Sequence, residues 1–209
     1  MIFFYLKEDK RYEIVGFTVE KEYMEKEKLF ELDVVPFDKV EQSFNPGACK
    51  MLIAVGYHKM NKIRERKFNE AKGKGYCLAT YVHPSVQRFQ NVEIGENCVI
   101  LEHTSIQPLV KIGDNNIIWA NATIAHGSLI EDHCWITSGV VISGDTTIKS
   151  NCFLGVNASI GHNVTIGEGN FIGSNTLVSR NTGNREVRIS KSGEKHRLNS
   201  DDFVKFINF

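Results

Sequence analysis

The chain lacks any apolar run approaching the roughly 18 residues of a membrane-spanning helix, and its opening MIFFYLKEDK is too short an apolar stretch for a secretory signal. It also lacks net charge. With 25 basic and 25 acidic side chains among 209 residues there is no overall field to attract nucleic acid or an anionic membrane, so any partner must be chosen locally. The five cysteines are odd in number and show no paired spacing, which argues against a disulfide framework. No Ser-His-Asp order, HExxH, CxxC pair or Walker loop occurs, so the familiar signatures of hydrolases, zinc proteases and nucleotide-triphosphate enzymes are missing. These absences together predict a soluble cytoplasmic protein.

What is present is a period of six. From Ile94 to Val178 every sixth residue is aliphatic, through Ile100, Ile106, Ile112, Ile118, Ile124, Ile130, Ile136, Ile142, Ile148, Leu154, Ile160, Ile166 and Ile172. Neither the helical period nor strand alternation yields that series, so each hexad is a structural unit stacked on its neighbours in a parallel β-helix. Four residues after each marker, from Cys98 and Thr104 to Asn170 and Thr176, stands a side chain of small or modest size. A narrow triangular prism accounts for this: the aliphatic residue fills the interior and leaves room only for something compact. Three hexads make one coil, so residues 18 apart lie over one another at about 4.8 Å. Cys98, Cys134 and Cys152 then share an inward column with Asn116 and Asn170, which reads as small core residues and not as redox or metal chemistry. Cys49 and Cys77 show no ligand spacing, and the glycines of GEGNFIG at 167–173 lie in the hexad frame and are assigned to corners.

Composition changes near residue 80. Ahead of it lie β-like runs at Glu13–Val19 and Leu32–Pro36, a buried strand candidate Met51–Gly56, a basic helix from about His58 to Ala71, and a strand Tyr76–Val82. Strand, helix and strand suggest a small α/β domain with a parallel sheet over 1–82. Val82-His83-Pro84-Ser85 reads as a hinge into the prism at 83–180. In the tail, 181–209, a strand is expected at Arg185–Ser190 and a short helix opened by Ser200 as N-cap ahead of Asp201 and Asp202, the whole covering the prism's open end. The tail's Lys and Arg residues read as a solvated face.

The 18-residue coil sets Pro108, His126, Gly144, His162 and Arg180 in one corner column. A histidine one coil from a glycine pairs a base with an approachable backbone N–H, which suits acyl transfer: one removes the attacking group's proton and the other stabilises an oxyanion. His133 occupies a different place in its hexad, and His83 and His103 are weaker candidates. Trp119 and Trp135 point outward and are expected to be covered, with packing at an oligomer interface the plainer role.

The prism, together with IAVG (53–56), the basic helix and YVHPSV (81–86), resembles the sialic acid O-acetyltransferase and nucleotide amino-sugar N-acetyltransferase family of hexapeptide-repeat enzymes. The likeness covers roughly residues 10–180, and TIAHGSLIEDHCWI (123–136) and IKSNCFLGVNASIG (148–161) carry most of it. It implies a mainly β fold, a left-handed parallel β-helix preceded by a truncated Rossmann-like α/β domain, with three copies forming a homotrimer. Acetyl-CoA would lie in a cleft between prisms and a sugar or nucleotide sugar would accept the acyl group in surface-glycan synthesis, with no metal. By the same resemblance His126 is the general base, Gly144 the oxyanion donor, Trp135, Val156 and Ser174 contact the donor, and Gly56 faces the acceptor.

Three departures stand out. Gly127 replaces the acid or histidine that often follows the base, so His126 would take its orientation from a backbone carbonyl or from Glu131 or Asp132. Trp135 stands where some members have histidine. MIFFYLKED matches the end of the family's first helix, without the strand and glycine-rich turn that hold a nucleotide. Other classes of answer are a zinc enzyme resembling the γ-type carbonic anhydrases, with His126, His133 and His162 as the available ligands, and a non-catalytic trimeric scaffold.

Overall fold

The computed structural model describes residues 1–207. Its centre is a left-handed parallel β-helix of three faces built from two-residue strands, the fold class expected from the hexads. The first face stacks strands from Tyr81–Val82 through Val99–Ile100, Ile117–Ile118, Trp135–Ile136, Phe153–Leu154 and Phe171–Ile172 to Val187–Arg188. The second runs from Gln87–Arg88 to Leu177–Val178 and the third from Glu93–Ile94 to Thr165–Ile166. Pairing between coils is parallel and in register at 18 residues, as in Ile118 with Ile136 and Ile136 with Leu154.

The interior is the one the period demands. The aliphatic markers from Ile100 to Val178 are all buried, and so is every compact residue between Cys98 and Thr176 that follows a marker by four. Five of the polar ones share a repeated device, donating to the carbonyl 15 residues on: Cys98 to Gly113, Ser128 to Ser143, Cys134 to Lys149, Thr146 to Gly161 and Cys152 to Gly167. The three interior cysteines are free thiols, and burial pushes Cys98 up to about 12. The corners turn through left-handed backbone at residues such as Asn97, Asn115, Asn151 and Gly127, where asparagine and glycine are the least strained choices. Gly167–Gly173 forms corners and the strand Phe171–Ile172, with no helix.

The residues before the prism form α1 (Ile2–Glu8), a small sheet of β1 (Phe17–Val19), β2 (Lys28–Leu29) and β3 (Leu32–Pro36), α2 (Val40–Ser43) and α3 (Lys62–Gly73). β1 pairs with β3 in parallel, β2 with β3 antiparallel. Three expectations change here. The strand expected at Met51–Gly56 makes a single parallel bridge, Met51 to Leu78, because the next residue facing that way turns to the prism instead: Ile53 N–H donates to Asn97 Oδ1 at 2.7 Å. The helix expected from His58 starts at Lys62, since Lys59, Met60 and Asn61 adopt left-handed backbone and form a turn. The strand expected over Tyr76–Val82 shrinks to Tyr81–Val82 and is the first strand of the prism, so His83-Pro84-Ser85 is that coil's first corner and not a hinge.

This segment covers the first face. Tyr81, Val99 and Ile117 on that face are fully buried beneath Ile2, Tyr5, Leu6, Tyr12 and Leu52, with Trp119 and Trp135 packed alongside. The chain's own N-terminal segment thus packs against both tryptophans, which stay partly exposed. Arg64 of α3 is wholly buried and donates to the carbonyls of Asn115 (3.2 Å), His133 (2.9 Å) and Cys134 (3.1 Å) and to Asn61 Oδ1 (2.9 Å), while Asn61 Nδ2 reaches Cys152 O. Its guanidinium also lies 5.4 Å from the centre of the Trp135 ring. At the other end, Val187–Arg188 pairs with Phe171–Ile172, extending the first face within the expected Arg185–Ser190 strand. In α4 (Ser200–Ile207) the cap is Asn199, not Ser200: Asn199 Oδ1 accepts the Asp202 N–H at 2.9 Å and Ser200 is already helical.

Candidate active site

The corner between the second and third faces carries the column expected from the spacing. His126 projects there from the turn between Thr123–Ile124 and Leu129–Ile130, and its imidazole lies directly on Gly144 of the next coil. A Cβ at 144 would come within 2.7 Å of both Cε1 and Nε2, so only glycine lets the ring rest there. The Gly144 carbonyl accepts the Asn163 N–H at 3.0 Å, whereas its own N–H meets no acceptor among the described residues. The His126 side chain remains 59% exposed. An open imidazole beside an unspent amide N–H is thus assembled by the coil repeat alone.

The groups that hold the ring are not the expected ones. Glu131 is engaged by Lys149 at 2.7 Å and by Ser150, and Asp132 accepts the Asp114 N–H at 2.7 Å. Instead Gln107 Oε1 accepts the His126 backbone N–H at 3.1 Å and lies 3.3 Å from Nδ1. With Nδ1–H donating to that oxygen, Nε2 is left as the basic nitrogen. On that side stands Asp145, with Oδ2 at 4.0 Å from His126 Nε2 and 3.9 Å from His162 Nε2. Sequence reasoning missed Gln107 and Asp145, and placed His162 in the column without a role in acyl transfer. The signal was available: Gln107 and Asp145 stand 19 residues on either side of His126, one coil plus one step.

The remaining expected residues divide among other places on the chain. Val156 and Ser174 stack at the corner between the first and second faces, both exposed, with the Asn175 N–H donating to Val156 O. Trp135 lies half-buried on the first face beneath Tyr57, whose ring centre is 5.4 Å away. Gly56 immediately precedes Tyr57, so the turn at 56–57 and Trp135 are neighbours. One chain therefore joins His126 to Gly144, Val156 to Ser174, and Gly56 to Trp135, but does not unite the three pairs. The two corners do flank one face, whose outward Val141 and Leu177 are exposed.

His133 sits at the third corner, its Nδ1 2.9 Å from Asn115 Nδ2, away from His126 and His162. The trio considered for zinc is therefore dispersed, and among the described residues no group of three His, Cys, Asp or Glu side chains is placed to hold a metal.

Residues 109–144 and 145–180 each match the bacterial transferase hexapeptide family (six repeats). No curated protein matches the chain in sequence. Among solved structures it is similar to a variant of perosamine N-acetyltransferase from Caulobacter crescentus in complex with CoA and GDP-perosamine, at 23% identity and a TM-score of 0.73 over 79% of this chain and 78% of that one. The acetyltransferase domain of PglB from Neisseria gonorrhoeae, in complex with acetyl coenzyme A, gives 22% identity and a TM-score of 0.73 over 79% of each chain. WeeI from Acinetobacter baumannii gives 19% identity and a TM-score of 0.70 over 81% and 79%. The chain thus carries hexapeptide repeats over residues 109–180 and has the fold of these structures.

Proposed function

We propose that the protein is an acyltransferase that moves an acetyl group from acetyl-CoA to an amine or hydroxyl of a sugar or nucleotide sugar, and that it serves surface-glycan synthesis in the cytoplasm. The observation that carries this reading is the exposed His126 imidazole seated on Gly144, whose amide N–H is unspent. Nε2 takes the proton as the acceptor's nitrogen or oxygen attacks the thioester carbonyl. The Gly144 N–H receives the negative charge that gathers on the carbonyl oxygen. As the tetrahedral intermediate collapses the C–S bond breaks and the imidazolium returns its proton to the departing thiolate. No covalent enzyme intermediate is needed.

In this reading Val156 and Ser174 border the donor's path, Trp135 lies toward the acyl end, and the turn at Gly56 faces the acceptor. A homotrimer in which a second copy packs on the exposed Val141 and Leu177 face would turn the two corners into the walls of one cleft. The test is a thiol-release assay with acetyl-CoA across nucleotide sugars and free sugars. His126→Ala is expected to lower turnover by about a hundredfold or more, with CoA binding retained by calorimetry. Undiminished turnover in that variant would remove the mechanism, and absence of CoA binding in the unaltered protein would remove the reaction class.

A further inference from the structure

We infer that Asp145 is the carboxylate partner of His126, delivered from the next coil into space that Gly127 leaves open. The inference rests on the acyltransferase reading for its kinetic consequence, but its geometry stands apart from it. Asp145 Oδ1 lies 2.3 Å from where a Cβ on residue 127 would be, so no side chain larger than hydrogen fits at 127 while Asp145 holds this position. Gly127 is left-handed, with φ of +67°, and its N–H is tied to Pro108 O at 3.1 Å. Asp145 is itself left-handed and its N–H donates to His126 O at 2.9 Å, fixing its backbone against the histidine it faces. With one oxygen packed over Gly127, the other is left 4.0 Å from His126 Nε2. The glycine after the base and the acid one coil later are thus one arrangement: an acid at 127 would collide with the acid already there.

The same packing occurs elsewhere without a histidine, which separates structure from chemistry. At the neighbouring corner Asn157 Oδ1 lies 2.2 Å from a Cβ built on Gly139, itself left-handed. An asparagine therefore serves the packing as well as an aspartate. What only aspartate adds is negative charge, and at 145 that charge faces two imidazoles, His126 and His162. As Nε2 takes up the acceptor's proton a positive charge forms about 4 Å from the carboxylate, and it is met by a group that needs no rearrangement. Asp145 is in this sense a positioning and charge-balancing residue that acts through His126. His162 competes for the same oxygen from the coil above.

The experiment compares Asp145→Asn with Asn157→Asp in the full-length protein. Asp145→Asn keeps the packing, so circular dichroism, melting and the KM for acetyl-CoA should match the unaltered protein while kcat falls about tenfold. The loss should disappear in a His126→Ala background, and Asn157→Asp should change nothing. Returning the acid to the position after the base, by Gly127→Asp with Asp145→Gly, should recover part of the kcat lost in Asp145→Gly alone. Unchanged kcat in Asp145→Asn, or the same loss with and without His126, overturns the inference. A readout independent of any acceptor or donor is carboxamidomethylation by iodoacetamide, mapped by mass spectrometry. Nε2 displaces iodide and becomes cationic, so His126 should be labelled several-fold more slowly in Asp145→Asn, with His103 as internal reference. Equal labelling overturns the inference even if the acyltransferase reading fails.

Discussion

The prism and the segment that covers its first face are held by opposite means. In the prism the inner coils repeat the same contacts: aliphatic side chains inward, a compact residue donating to the carbonyl 15 residues on, and ladder bonds to the coils on either side. The covering segment has one three-stranded sheet of short strands, one isolated bridge, and a junction that converges on Arg64. Stability in the first is distributed along the stack. The second has its own apolar cluster, and among the polar groups that join it to the prism is a buried cation whose guanidinium burial pulls down to about 10. A lost contact in the stack is shared among its neighbours, whereas a lost Arg64 loosens the junction at one place.

The largest expected effect tests that contrast at the junction. Arg64→Ala leaves the carbonyls of Asn115 and His133 without their donor and should cost roughly 2–6 kcal/mol. The loss should appear first as fast hydrogen exchange in α3 and the Met51–Val55 segment, with prism amides still protected. Uniform loss of protection throughout would show that the two regions form one cooperative unit. Ile136→Ala, in mid-stack, should cost roughly 2–5 kcal/mol by urea denaturation, with protection falling in prism and covering segment together because the latter rests on the former. Loss confined to the coil of residue 136 would break the picture of a stack that shares its load.

The smallest effect sharpens the corner chemistry. Burial pulls His133 below the usual 6.5, an effect that Glu65 and Asp132 oppose without reversing. The folded protein therefore refuses a proton that the unfolded chain accepts as pH falls through about 6.5, so this group removes stability below that point and contributes nothing above it. His133→Asn matches Asn115 and Asn151 of the same column, which share its left-handed backbone. Urea titrations on either side of that value should show a pH slope shallower by at most one proton in the variant. An unchanged slope would place the pH dependence in other groups.

Much of the site was legible because the repeat is a ruler. Once the coil length is known, His126 and Gly144 must be stacked, whatever the rest of the chain does. Gln107 and Asp145 follow the same ruler, offset by one step, but a side chain that leans between coils leaves no periodic mark. Arg64 was illegible for a different reason. In the sequence it is one basic residue in a basic helix, indistinguishable from Lys62, Arg66 or Lys72, which remain on the surface or only partly covered. The strand expected at Met51–Gly56 failed likewise, since its apolar pattern was satisfied by docking Ile53 on Asn97 and not by a neighbouring strand.

The amino-acid sequence by itself determined the prism, its coil length, its inward columns and the corner where an imidazole meets a bare peptide. Those features depend on contacts between residues a constant distance apart, which a period encodes. Only the tertiary structure decided which face the N-terminal segment covers, which cation is buried, and which amide and acid stand beside His126. Those choices depend on surfaces brought together from distant parts of the chain, where no spacing rule says which side chain will lean toward which neighbour.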